Sequence, residues 1–267
     1  MKDSSDRCPA GHVHLIGAGP GDPELLTVKA LLLMQTADVV VHDRLVSPEI
    51  MALIPSAVRR IDVGKLPKFH KIPQEDINTL LIDLARDGLT VARLKGGDPM
   101  IFGRGSEEAE ALRGAGIGVT YVPGITSAQG AAAATGVPLT HRGLATGVRY
   151  DTGHRAKDAA LDLDWASLAD EQTTLVVYMG VANIAGIAQE LIAHGLPAAL
   201  PVLAVASATT PRETRLLSSL GQIGADIAAA GPEAPVLFVI GHVAGMYPAI
   251  AARDAALCEG AGMDAYA

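Results

Sequence analysis

Residues 13–35 read VHLIGAGPGDPELLTVKALLLMQ, and this stretch sets the architecture. A short apolar run ends in a glycine loop, GAGPGD at 17–22. A run this short, stopped by glycine, predicts a buried strand over 13–19. Asp22 is a helix-capping residue type and Pro23 suits a first helical position. Apolar residues then recur at helical spacing, so a helix is predicted over 23–35. The same order repeats downstream. ADVVVHD (37–43), RRIDVG (59–64), TVARLKG (90–96) and VTYVPG (119–124) predict strands. SPEIMALI (47–54), QEDINTLLIDLARDG (74–88), SEEAEALRGAG (106–116) and TSAQGAAAATG (126–136) predict helices. Alternation of this kind means βαβ units and a mostly parallel sheet.

PLTHRGLA (138–145) lacks periodicity and marks the predicted boundary between an N-terminal α/β domain, 12–139, and a C-terminal one, 140–245. The second half holds strands at 173–180, 201–207, 214–220 and 235–243, and helices at 183–195 and 221–231. Its close strand spacing predicts a mixed sheet. Residues 1–11 and 252–267 are weakly patterned and read as flexible tails. A length of 267 residues also favours two domains, at about one per 150 residues.

Composition narrows the function classes. Hydrophobic residues make up 49% and charged residues 19%, an ordinary globular balance that excludes a disordered chain. Aromatics are only 3%, which weakens any reading based on base stacking. Lys and Arg number 21 against 29 Asp and Glu, a net charge of −8 with no long basic block. Nucleic acid, which is bound by neutralising phosphates, is therefore not an expected partner. Cys8 and Cys258 form no CxxC pair, so neither a disulfide framework nor a zinc site is expected. MKDSSDRCPAGH at the start has no apolar h-region, and no apolar run approaches the roughly 18 residues of a membrane span. The expectation is a soluble, cytoplasmic protein with no membrane partner and no metal.

Two glycine loops carry the chemistry. GAGPGD lets a backbone approach a ligand, but Asp22 breaks the dinucleotide pattern GxGxxG, and no GK[ST] follows for a phosphate loop. A plain tight turn explains this piece equally well. KGGDPMIFGRG (95–105) packs four glycines, an Asp and an Arg into one loop after a strand. Asp98 there either accepts from an ammonium or hydroxyl or simply starts a turn before Pro99.

Together the motifs GAGPGDPELLT, VVVHDRLVS, VGKLPKFH, GGDPMIFGRGSEE, PGITSA, PLTHR and VVYMG, in that order over about 12–245, resemble the tetrapyrrole methylases. The resemblance implies two α/β domains, a homodimer, and S-adenosylmethionine bound in the interdomain cleft, with S-adenosylhomocysteine as product. It implies methylation of uroporphyrinogen III at two pyrrole carbons, C2 and C7, giving precorrin-2. Transferred residue by residue, the cofactor contacts are Pro20, Gly96, Gly97, Asp98, Ile101, Thr126, Ser127, Met179 and Ala208. Asp43 is the implied proton acceptor and Lys65 the implied donor. Arg104, Glu107 and Arg142 are the implied substrate residues. This chain reads Ser207–Ala208–Thr209–Thr210 where relatives have Gln–Gly–Thr–Thr, has His42 for a Tyr, and Asp151 for an aliphatic residue.

The methyl acceptor carries eight carboxylates, so an acidic protein must offer it cations. The candidates are Arg44, Lys65, Lys68, His70, Arg104, His141, Arg142 and Arg149. Plainer roles compete: a dipole-complementing acid for Glu107, a linker charge for Arg142, a strand-end cap for Asp43, a loop ammonium for Lys65 and a core side chain for Met179. A methylase of a later precorrin and a non-catalytic module that binds S-adenosylmethionine or a tetrapyrrole are the alternative functions. A nicotinamide oxidoreductase is weakest, because the last glycine of its motif is missing.

Overall fold

A computed structural model describes residues 11–64, 72–154, 161, 163–248 and 250. The chain divides into two compact units, 1–126 and 127–267. The expected tails, apart from Gly11, and Cys8, Lys65, Lys68, His70 and Cys258 lie outside the described residues.

The first unit is a five-stranded parallel sheet in the order β3-β2-β4-β1-β5. Its strands are β1 (His12–Gly17), β2 (Val39–His42), β3 (Arg59–Asp62), β4 (Thr90–Lys95) and β5 (Gly118–Val122). Helices α1 (Val28–Thr36), α2 (Pro48–Ala52), α3 (Gln74–Arg86) and α4 (Gly105–Gly114) cover it. Strand alternation sorts the apolar side chains onto two faces. Val13, Leu15, Val39, Val41 and Val91 pack with Leu81 and Leu84 of α3 and Leu112 of α4. Ile16, Val40, Ala92 and Leu94 pack with Ala30 and Met34 of α1 and Ile50 of α2. Burial on both faces is why these strands read as near-continuous apolar runs.

The second unit holds α5 (Ser127–Thr135), β6 (Gly147–Thr152), α6 (Trp165–Leu168), β7 (Thr173–Tyr178), α7 (Ile184–Ala193), β8 (Pro201–Ala206), β9 (Thr214–Ser219), α8 (Ile223–Ala230) and β10 (Val236–Ile240). Its sheet runs β6-β7-β10-β8-β9. Only β6 and β7 pair in parallel; the other neighbours are antiparallel, so the sheet is mixed. Phe238 packs on one face with Ile187 and Leu191 of α7 and Ile223 of α8. Val176, Leu203 and Val239 pack on the other with Ala128 and Ala131 of α5.

Local details depart from the sequence reading. Asp22 caps a short 3-10 turn, Pro23–Leu25, by accepting from Glu24 N at 2.8 Å. The helix proper starts at Val28, because Thr27 is extended and its hydroxyl accepts from Ala30 N at 3.1 Å. Strand β6 and helix α6 were not expected. GVRYDT is a half-buried edge strand with two charges, and WASL is a single capped turn, so neither carries a long apolar pattern.

One strand feature has a pH consequence. His12 and His14 project from the same side of β1 with ring centroids 4.8 Å apart, and the buried Nδ1 of His14 has no hydrogen-bond partner. Burial, then the charges of His12 and Lys29, hold the His14 imidazole below its ordinary pKa of 6.5. Between that lowered value and 6.5 the unfolded chain binds the extra proton, so stability falls as pH drops below 6.5. Urea denaturation at about pH 7.5 and about pH 5.5 should show a smaller loss in His14→Gln than in wild type. Equal losses in the two proteins would remove His14 as the cause.

Candidate active site

The loops singled out in the sequence meet at the carboxyl edge of the first sheet, where α/β proteins bind ligands. Gly19 and Gly97 exchange two backbone hydrogen bonds, N to O at 3.1 Å and 2.7 Å, and Ala18 N donates to Lys95 O at 2.7 Å. The two glycine loops are therefore one structure. The loop after β5 joins them by close backbone contact. A Cβ at Gly124 would lie 2.2 Å from Gly97 O and 2.8 Å from Gly17 Cα. Ser47, the cap of α2, donates from Oγ to Gly21 O at 2.6 Å and ties down the far side of the first loop.

Asp98 holds the junction together. Its Oδ1 accepts from Met100 N at 2.8 Å and its Oδ2 from Gly124 N at 3.0 Å. It both starts a turn and straps two loops, while each oxygen keeps a second lone pair. Pro20 lies on the first loop, Gly96, Gly97, Asp98 and Ile101 on the second, and buried Thr126 on the third. Exposed Leu45, Met100 and Phe102 give the neighbourhood an apolar side, with Leu45 against Gly96.

Asp43 follows β2. Its Oδ1 accepts from Leu45 N at 3.0 Å and its Oδ2 lies 3.9 Å from Arg93 Nη2. Arg104 sits in the left-handed region, φ 57°, just before α4. Its guanidinium forks onto Glu107 at 3.0 Å and 2.6 Å, with both side chains about half exposed, at 54% and 51%. The Glu107 hydrogen bond raises the Arg104 pKa above its already high value, so this group does not accept a proton. The same bond lowers the Glu107 carboxyl below its ordinary value.

In the second unit, α5 begins at Ser127. Met179, after β7, is half exposed and left-handed, φ 54°. After β8, Ser207 (φ 48°) and Thr209 (φ 65°) take the left-handed conformations, while Ala208 between them does not. The change from glycine to Ala208 is thus accommodated without strain at that residue. Thr209 N donates to Glu213 Oε2 at 2.6 Å, which holds the turn. Arg142 lies exposed at the tip of a tight turn, 141–145, and no ion pair with a described residue engages it. Among the other cations, Arg149 is taken up by Asp151 at 2.7 Å and Ser167 at 2.8 Å, which gives Asp151 a structural role. His141 Nδ1 contacts Arg142 O at 2.9 Å, and Arg44 is exposed.

Sequence reasoning missed Arg93, Lys95 and Glu108. All three are buried, and both cations converge on the Glu108 carboxylate. The signal was present: TVARLK places two charges inside an apolar strand. Among the described residues no group of three or more His, Cys, Asp or Glu side chains is arranged to hold a metal ion. No described helix is long and apolar enough to cross a membrane.

A parallel sheet with glycine loops, an Asp and an Arg–Glu pair at its carboxyl edge, followed by a mixed-sheet unit, defines a class. The family model for tetrapyrrole (corrin/porphyrin) methylases matches residues 12–224, and the chain belongs to that family. It is 67% identical to the uroporphyrinogen-III C-methyltransferase of Paracoccus denitrificans, over 92% of this chain and 84% of that one. It is 52% identical to the siroheme synthase of Azotobacter vinelandii over 87% of its own length, but spans only 50% of that longer protein. Among solved structures it resembles the Thermus thermophilus uroporphyrin-III C-methyltransferase complexed with S-adenosylhomocysteine. That likeness has a TM-score of 0.73 and 41% identity, and covers 87% of this chain and 93% of that one.

Proposed function

We propose that the chain methylates uroporphyrinogen III at two pyrrole carbons, C2 and C7, with S-adenosylmethionine as donor, and releases precorrin-2. The observation that carries this is the likeness to the Paracoccus enzyme at 67% identity over 92% of the chain. The loop junction suits the donor. It sets the main chain of Gly96, Gly97 and Asp98 beside the apolar Leu45, Met100 and Phe102, with the Gly97 N–H already donated to Gly19 O. That mix matches an adenosyl group carrying a charged amino acid. Pro20, Ile101 and Thr126 complete the proposed contacts in the first unit. Ser127, Met179 and Ala208 supply those of the second.

When bound, S-adenosylmethionine supplies an already activated methyl group, so the protein needs no metal to activate it. The residues are left to orient the acceptor and to handle the proton that the macrocycle loses, from a site other than the methylated carbon, after transfer. Asp43, held by Leu45 N, is the proposed proton acceptor. Lys65 is the proposed donor. Arg104 acts by orientation and charge, since its guanidinium keeps its proton and Glu107 fixes its plane. Arg142 binds a substrate carboxylate through its planar fork. A homodimer in the cytoplasm is the setting we propose.

Anaerobic incubation of the purified protein with S-adenosylmethionine and uroporphyrinogen III, followed by product masses, tests the reading. Addition of two methyl groups is expected. No addition, with S-adenosylmethionine still bound, would shift the substrate to a later precorrin or the protein to a binding module.

A further inference from the structure

Three buried charges of the first unit have no part in the chemistry just described. Arg93 and Lys95 on β4 have side chains 3% and 6% exposed, and Glu108 on α4 is fully buried. Arg93 Nε and Nη2 approach Glu108 Oε1 at 3.2 Å and 3.1 Å, and Lys95 Nζ donates to the same oxygen at 2.8 Å. Gln74 Nε2 from α3 adds a fourth donor at 3.2 Å. Oε2 of the same carboxylate is buried without a partner.

The charges do not balance within the trio: two cations face one anion. The second counter-charge is Asp43, whose Oδ2 lies 3.9 Å from Arg93 Nη2. Burial pushes the Glu108 carboxyl up, yet Arg93 and Lys95 outweigh it and leave its pKa lowered. Burial and then Arg93 lower the Lys95 ammonium, against the pull of Glu108 and Asp43. Buried ion clusters of this kind seldom repay their desolvation, so stability alone is a poor reason for one here.

Its placement supplies a better reason. Glu108 follows Glu107 directly, and its N–H donates to Arg104 O at 3.2 Å. With its side chain drawn inward onto β4, it pins the turn that presents Arg104 and Glu107. At its other end the cluster faces Asp43. We propose that Glu108, with Arg93 and Lys95, is the positioning element of the catalytic site, holding Asp43 and the Arg104–Glu107 pair in one frame. This rests on the methyl-transfer reading above.

The test uses two variants of the full chain. Glu108→Asp keeps the charge and withdraws it by one methylene. The double variant Glu108→Gln/Lys95→Met removes one anion and one cation, so Arg93 and Asp43 remain balanced. Melting, S-adenosylhomocysteine affinity, and kcat and KM for uroporphyrinogen III are measured for both. The expected result is near-native melting and affinity, KM within about threefold, and kcat lower by about 10- to 100-fold, the cost of misplacing groups by up to an ångström. A native kcat in either folded variant overturns the positioning role. Failure of both to fold assigns the cluster to stability and overturns it as well. A wild-type chain that methylates nothing overturns the function itself, and the inference with it.

Discussion

A Gly124→Ala variant is expected to lose about 3 kcal/mol of stability and its affinity for S-adenosylhomocysteine, the upper range for overpacking. The added methyl would stand 2.2 Å from Gly97 O, 2.8 Å from Gly17 Cα and 2.9 Å from Gly17 C. All three are backbone atoms, so no side chain can swing away to make room. Relief requires the loops after β1, β4 and β5 to separate. Separation stretches the Gly19–Gly97 pair and the Gly124 N to Asp98 Oδ2 bond, which together form the proposed cofactor cradle. Gly186→Ala is the counterpart. Gly186 lies within α7 with nothing near its Cβ position, so alanine there should stabilise by about 0.5–1 kcal/mol. Urea denaturation and calorimetric titration measure both. Native stability and affinity in Gly124→Ala would mean that the three loops do not depend on their close contact.

Arg142→Ala is expected to keep melting and S-adenosylhomocysteine affinity and to lose about 30- to 1,000-fold in kcat/KM for uroporphyrinogen III. That range corresponds to about 2–4 kcal/mol, as expected when one partner of a desolvated charge pair is removed. Folding should be unaffected, because Arg142 is exposed on a turn and engages no described carboxylate. Arg142→Lys restores the charge but not the planar fork and should fall between the two. A macrocycle turnover equal to wild type in Arg142→Ala would remove this residue from substrate binding.

The contrast between Arg142 and Arg149 shows where sequence reading stops. Both are candidates for a carboxylate-binding pocket on charge, and the family resemblance singles out Arg142. Whether each had a counter-ion was undecided until β6 placed Asp151 beside Arg149. Asp43 and Glu107 were visible because they follow recognisable motifs. Glu108, next to Glu107, was not singled out, since nothing local says that one of two adjacent acids turns inward onto β4.

The sequence by itself determined the order of the main elements apart from β6 and α6, the capping residue Asp22, the apolar faces, and the membership of the glycine loops and PGITSA in one family pattern. These follow from forces between near neighbours: alternation along strands, helical spacing and side-chain caps. Tertiary structure alone decided that Gly17, Gly97 and Gly124 touch, that Asp98 straps two loops, and that Arg93 and Lys95 share one buried carboxylate. Those contacts exist because β1 lies between β4 and β5, so that loops far apart in sequence emerge side by side. No local pattern encodes that strand order; burying both faces of the sheet selects it.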